Sequence, residues 1–264
     1  MTATAEAAYA QSWRAMYAAQ SEWQTYELAT AGGKCALDMA CVFIAGYQAA
    51  IRAIFPDTEF KGWAAFAVSE DRSETDPLPG LTANAEGDAI VLNGHKTWVA
   101  AVDHVENLVV RASGPAAGYY LVSRTAPGLS LERNPSPGML PTLSQGKAHF
   151  DGVRLTSGHT LSDRRVERFA VTEAFCIYTA FAAMVCQLAE DSGLEDLHEL
   201  AADLLGQSAS LDFAADAAGM AVFDDGIQQL RRRLRETELV SDEEFGRDQK
   251  LIAMYSKGIK ARAG

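Results

Sequence analysis

The chain is poor in most of the signatures that assign a chemistry at sight. Its four cysteines, Cys35, Cys41, Cys176 and Cys186, lie far from any C-x-x-C spacing, which excludes a zinc ribbon or a dithiol redox motif. Each sits in an apolar, helix-patterned stretch where a buried free thiol is common, and such usage fits a reducing, cytoplasmic compartment. Positive charge is scarce: 23 Lys and Arg against 35 Asp and Glu give a formal net charge of -12. No surplus of cations is left to neutralise phosphates, which argues against nucleic acid as a partner. The five histidines show no H-E-x-x-H or paired ligand spacing, and Asp224-Asp225-Gly226 lacks the rest of a calcium loop, so no metal is expected. No G-x-G-x-x-G opens a helix after a strand, no G-x-x-x-x-G-K-[ST] loop occurs, and Ser69 lacks a G-x-S-x-G context. A basic segment followed by an apolar core is missing from the start, so no signal peptide is expected. The most apolar long stretch, residues 35–55, has Lys34 at its edge and Asp38 and Arg52 inside it, which disfavours a membrane span.

What is present falls into three zones in the order helix, sheet, helix. Residues 1–60 are Ala-rich, and Met39, Ala40, Phe43, Ile44, Tyr47, Ile51 and Ile54 recur at three- and four-residue steps. They form one wide apolar helix face, which Pro56 ends and Gly32-Gly33 separates from an earlier helix. Residues 61–158 change to short β-branched or aromatic runs set off by Gly, Pro, Asn and Asp. Strands are expected at 64–68, 89–92, 108–111, 119–123, 129–131 and 148–155. Asn93-Gly94 is the strongest hairpin signal, because a type I′ turn needs positive φ at both positions. Residues 159–264 return to helix, expected at 166–188, 197–216, 227–237 and 242–261. The expected fold class is α+β: an N-terminal helical segment, a central antiparallel barrel or sandwich, and a C-terminal helical bundle.

Four segments of the middle zone carry a more specific signal. Ala64-Ala65-Phe66-Ala67-Val68-Ser69-Glu70 runs from a strand into a loop of acidic and hydroxyl residues, Asp71-Arg72-Ser73-Glu74-Thr75-Asp76. Then come Gly87-Asp88-Ala89-Ile90-Val91-Leu92-Asn93-Gly94-His95-Lys96-Thr97-Trp98-Val99, Tyr120-Leu121-Val122-Ser123-Arg124-Thr125-Ala126-Pro127-Gly128 and His149-Phe150-Asp151-Gly152-Val153-Arg154-Leu155. In order and spacing they resemble the flavin-facing β-domain of the acyl-CoA dehydrogenase family, over roughly a hundred residues, a size normal for one domain. The resemblance implies FAD as cofactor. By it Phe66, Val68 and Ser69 line the isoalloxazine ring, Thr75 reaches the cofactor or the CoA tail, and Trp98 stacks beside the dimethylbenzene side. A wide, flat, mostly apolar ring does need an aromatic wall, small residues beneath it and donors at its polar edge. Without the resemblance Phe66, Val68 and Trp98 read simply as core. Two departures matter. Glu74 stands where the family has a Gly that lets the backbone approach the diphosphate. Ala100 stands where it has Thr or Ser facing flavin N5.

Dehydrogenation in this family removes an α-proton to a Glu carboxylate. The usual Tyr-Glu-Gly-Thr motif is missing; Met254-Tyr255-Ser256-Lys257-Gly258 is the nearest segment and has Ser256 at the carboxylate's place. Isovaleryl- and long-chain members take the base from a Glu-Arg pair opening the first helix after the sheet, where this chain has Val166-Glu167-Arg168-Phe169. Glu167 is the candidate base on that resemblance. Its other reading is a first-turn Glu at the positive helix end, behind an Asp163 or Ser162 cap. Glu173 is expected on another face. Arg231, Arg232 and Arg233 are read as a solvated face or a phosphate contact. The family's last helices have no counterpart, and the N-terminal helical zone is shorter than usual. The implied function is oxidation of an acyl-CoA or acyl-carrier thioester to its α,β-enoyl form. The alternative is a non-catalytic subunit that pairs with a full-length dehydrogenase or binds the thioester without oxidising it. A third reading keeps the flavin and uses oxygen. A homo-oligomer or hetero-oligomer is expected, since the helix after Arg168 has little polar relief as far as Leu188.

Overall fold

A computed structural model describes residues 3–20, 22–60, 62–240 and 242–264. The chain divides into two compact units, one of Met1–Ala7 with Phe55–Glu167 and one of Ala8–Ile54 with Arg168–Gly264.

The first unit is built on eight strands: β1 (Ala64–Ala67), β2 (Thr82–Glu86), β3 (Ala89–Ala100), β4 (Asn107–Ala112), β5 (Gly118–Ser123), β6 (Leu129–Arg133), β7 (Gln145–Thr156) and β8 (Thr160–Leu161). They form two four-stranded sheets, ordered β1-β4-β5-β8 and β2-β3-β7-β6. Side chains alternate across a strand, so Ala65, Val110 and Val122 of one sheet meet Leu92, Phe150 and Val153 of the other in a shared core. The result is a sandwich, and neither sheet closes into a barrel. Every named pairing is antiparallel except β1 with β4, which is parallel. At the start of the chain the buried Glu6 accepts hydrogen bonds from Ser144 N (3.1 Å) and Oγ (2.9 Å), and burial raises its pKa.

Asn93-Gly94 is not a turn. β3 runs straight through it, and the hairpin with β2 is made by Gly87-Asp88, where Glu86 pairs with Ala89 and Gly87 has φ +62°. The positive φ that the pair signalled is real (Gly94, +122°), but it serves a close approach of chains: a Cβ there would stand 2.2 Å from Gly80 O. Asn93 Oδ1 accepts from Gly152 N at 2.8 Å across a register shift between β3 and β7.

The second unit is helical. It takes most of α1 (Ala3–Ala18), then α2 (Thr25–Lys34), α3 (Met39–Ile54), α4 (Phe169–Asp191), α5 (Glu195–Ser210), α6 (Ala217–Arg235), α7 (Asp242–Asp248) and α8 (Lys250–Ala263). A 3₁₀ turn, Val166–Arg168, leads into α4. Gly32 and Gly33 lie inside α2 rather than in a linker, because there the helices touch backbone to backbone. A Cβ on Gly33 would stand 2.3 Å from Ala180 O of α4. Arg52 is tolerated in the apolar α3 because its guanidinium covers the rings of Trp13 (4.9 Å) and Tyr17 (4.6 Å). The stretch Val166–Asp191 is long and apolar enough to cross a bilayer, yet 78% of its most apolar window is buried. The run that pointed to a subunit contact is covered by α2, α3 and α5 of the same chain.

Candidate active site

The face of the β1-β4-β5 sheet turned away from the core carries the residues that alternate with it: Phe66 and Val68 at β1, Arg111 on β4 and Tyr119 on β5. Arg111 and Tyr119 are direct cross-strand partners. Phe66 is buried and stacks on Tyr119, with ring centroids 6.1 Å apart and planes 15° from parallel. Beside this stack opens a cavity of about 700 Å³, whose wall includes Val68, Glu70, Lys96, Arg111, Tyr119 and Glu167. Ala112, Gly114, Ala117 and Gly118 also line it.

One wall is a cation almost sealed from solvent. Lys96 Nζ lies 2.6 Å from Glu70 Oε1. Burial pulls the Lys96 pKa below its ordinary value, and the hydrogen bond and charge of Glu70 pull it back. The loop after Glu70 is folded on itself by Asp71, whose carboxylate accepts from Ser73 N (2.9 Å) and Leu78 N (3.1 Å). Those two backbone donors hold the Asp71 pKa below its usual value. Thr75 is exposed on this loop. The left-handed backbone that a glycine would suit falls at Asp76 (φ 128°), not at Glu74, so Glu74 is tolerated without strain.

Ser69 is exposed, and its carbonyl accepts from Thr97 N at 2.9 Å, joining the end of β1 to β3. At that point the ladder slips: Lys96 pairs with Ala148 and Val99 with Gly146, so Thr97 and Trp98 together oppose one residue of β7. Such a bulge re-aims side chains and recurs beside active sites. It leaves Trp98 half-buried, with its indole N–H donating to Gln145 Oε1 at 3.1 Å. Gln145 is fixed in turn, donating to the carbonyls of Met139 (2.6 Å) and Leu140 (3.1 Å). Ala100, at the end of β3, is 2% exposed and offers only a methyl group.

Val68 and Glu167 thus share one cavity, Phe66 flanks it through Tyr119, and Ser69 is stitched to the bulge that carries Trp98. Phe66, Ser69, Thr75, Trp98 and Ala100 are not part of the cavity wall. Glu167 is exposed in the 3₁₀ turn before α4. Ser256 is engaged elsewhere: its hydroxyl donates to Asp224 Oδ2 at 2.6 Å. Sequence reasoning missed the Glu70–Lys96 pair, Arg111 and Tyr119, whose association depends on strand pairing that no local pattern reveals. It also set aside Glu173, which is half-buried on α4, hydrogen-bonded by Tyr255, and pushed up to about 7 by burial.

No protein-family model matches the chain. Its fold is that of the acyl-CoA dehydrogenases. It is similar to acyl-CoA dehydrogenase from Geobacillus kaustophilus, with a TM-score of 0.67 at 12% identity over 98% of this chain and 88% of that one. It is similar also to the prolyl acyl carrier protein oxidase AnaB (TM-score 0.67, 12% identity, 98% and 89% covered). A structure of PigA with FAD and proline superposes with a TM-score of 0.62 at 13% identity, over 95% and 83% of the two chains.

Proposed function

We propose that this chain is an FAD-dependent oxidoreductase that converts an acyl-CoA or acyl-carrier thioester to its α,β-enoyl form, with Glu167 as the base. The observation that carries the reading is the joining of Val68, Tyr119 and Glu167 around one cavity. Supporting it, Ser69 is hydrogen-bonded to the strand position next to Trp98. The residues offered to a flat ring with an apolar body are Val68 beside the Phe66–Tyr119 stack, a half-buried indole whose N–H is already satisfied, and exposed hydroxyls on the adjoining loop. They leave the N5 edge one hydroxyl short, at Ala100.

On this reading Phe66, Val68, Ser69 and Trp98 hold the ring, Ala100 borders it, and Thr75 reaches the polar tail of the cofactor or of CoA. Bound FAD supplies the hydride acceptor. Glu167 takes the α-proton: the Cα–H bond breaks and the proton stays on the carboxylate. Lys96 holds Glu70 at the cavity wall through their 2.6 Å ion pair, and the Phe66–Tyr119 stack keeps water from one side. The fold's neighbours include an acyl-CoA dehydrogenase and an acyl-carrier-protein oxidase, which supports a thioester on either carrier. We place the protein in the cytoplasm, as a homo-oligomer or partnered with a related dehydrogenase.

A second reading rests on Ala100 and Glu74: a non-catalytic subunit that binds the thioester or a full-length dehydrogenase. The visible spectrum of the purified protein separates the two. Flavin bands that bleach on adding acyl-CoA, with Glu167→Gln retaining the bands but losing turnover, support the oxidoreductase. A colourless protein that takes up no FAD supports the subunit. Full turnover by Glu167→Gln removes that residue from the role.

A further inference from the structure

The side chains in the wall of the Glu167 cavity that can donate a hydrogen bond at neutral pH are Lys96, Arg111, Ser113 and Tyr119. Lys96 and Ser113 are engaged: Lys96 Nζ is held by Glu70 at 2.6 Å, and Ser113 Oγ donates to Leu81 O at 3.1 Å. Arg111 and Tyr119 remain. Among the described residues the Arg111 guanidinium makes no ion pair or hydrogen bond, and nothing accepts from the Tyr119 hydroxyl. The two are direct cross-strand partners on β4 and β5, a relation that sets Cβ atoms about 5 Å apart. The phenol ring is fixed before any ligand arrives, stacked on Phe66 at 6.1 Å and tilted against Phe55 at 6.5 Å. The charge of Arg111 reaches Lys96, whose pKa it helps to lower. The other charges of the wall are Glu70, already paired with Lys96, and the carboxylates of Asp163 and Glu167. Arg111 is therefore the one cation in that wall free to meet an anion.

Resting on the function proposed above, transfer of the α-proton to Glu167 breaks the Cα–H bond and leaves its electron pair on the thioester, spread from the α-carbon to the carbonyl oxygen. That oxygen changes from a neutral acceptor to an oxyanion. Donors already in place where such charge develops lower the barrier, because they need no reorganisation as it forms. Glu167 loses its own charge in the same step, so its repulsion of the oxyanion disappears as the oxyanion appears. We propose that Arg111 and Tyr119 are the donors that hold this enolate oxygen, which makes both of them catalytic residues.

The test is a pH titration of acetoacetyl-CoA bound to the full chain, followed by the near-ultraviolet absorption of its enolate. This ligand ionises at its α-carbon and undergoes no redox step, so the readout is independent of turnover. Bound to the wild-type chain, it should be half ionised at a pH at least about 1 below that of the free ligand, a tenfold gain of enolate over neutral form. Arg111→Gln and Tyr119→Phe should each return a large part of that difference, and Arg111→Lys, which keeps the charge, should return less than Arg111→Gln. Tyr119→Phe keeps the ring and its stack, and the wild-type arm needs no variant to fold. A midpoint unchanged on binding, or one displaced equally in wild type and both variants, overturns the donor pair. Binding without displacement, combined with turnover that Glu167→Gln abolishes, upholds the oxidoreductase and sinks the pair. A displacement that both substitutions diminish, in a chain that takes up no FAD, upholds the pair and sinks the oxidoreductase. Failure of acetoacetyl-CoA to bind overturns both.

Discussion

Lys96 and Glu70 meet 2.6 Å apart across 26 residues of sequence, the lysine 1% exposed and the glutamate 43%. The cation is in the protein and its partner is half in water. Glu70→Gln leaves the ammonium buried without a counter-charge, which should lower stability by about 1–3 kcal/mol. That is less than the loss of one partner of a sealed pair, because solvent already screens Glu70. Adding Lys96→Met should recover most of it. Urea denaturation of the four chains measures the coupling, and strictly additive losses would show that the two side chains do not depend on each other.

Gly33→Ala should be among the most damaging small substitutions in the helical unit. The new methyl would stand 2.3 Å from Ala180 O and 2.7 Å from Ala180 Cα, backbone atoms that move only if α4 moves. Overpacking of this kind costs about 1–3 kcal/mol or more, against a helix-propensity gain of about 1 kcal/mol. Gly206→Ala, on α5 with open space around it, is the control and should be neutral or mildly stabilising. Thermal melts of the two variants decide it.

These contrasts mark what the sequence could say. Helices α3 and α4 were legible because their apolar residues recur at helical steps, and β7 because its buried residues alternate. β2 was not: Thr-Ala-Asn-Ala-Glu has no β-branched run, and its place comes from pairing with β3. β8 is two residues held by Tyr119 and Tyr120. Asn93-Gly94 was misread because a hairpin turn and a close chain crossing both ask for positive φ, and only the position of Gly80 distinguishes them. At the site, the resemblance named Val68 and Glu167, which do share a cavity, and Trp98. It gave no hint that a bulge aims the indole, nor that Arg111 faces Tyr119, since both follow from register.

Asp224 ties three helices together. It is fully buried and accepts from Tyr178 Oη (2.6 Å), Gln228 Nε2 (3.0 Å) and Ser256 Oγ (2.6 Å), which come from α4, α6 and α8. Asp224→Ala removes an acceptor from all three donors, although Tyr178 and Gln228 keep the Ile252 carbonyl (3.0 and 3.3 Å), and a loss of about 1–3 kcal/mol is expected. Ser256→Ala removes one exchangeable partner and should cost about 1 kcal/mol. If Ser256 stood in for a catalytic carboxylate instead, its loss would abolish activity without changing stability. Chemical denaturation and a turnover assay on the same variant separate these outcomes.

Glu173 makes the helical unit's stability depend on pH in an unusual direction. Its pKa rises from 4.5 to about 7 on folding, chiefly through burial, against a lowering by Tyr255. Below about pH 4.5 the carboxyl is protonated in both the folded and the unfolded chain and contributes nothing. Between about 4.5 and 7 the unfolded chain releases the proton first, so the folded state binds more protons and stability falls as pH rises. Above pH 7 the loss levels off, at about 3 kcal/mol by linkage. Glu173→Gln removes this titration. The variant should therefore gain stability over wild type as pH rises from 5 to 8, and the gain should level off above 7. A difference between the two chains that stays flat from pH 5 to 8 would mean that the carboxyl titrates in the folded protein as it does in water.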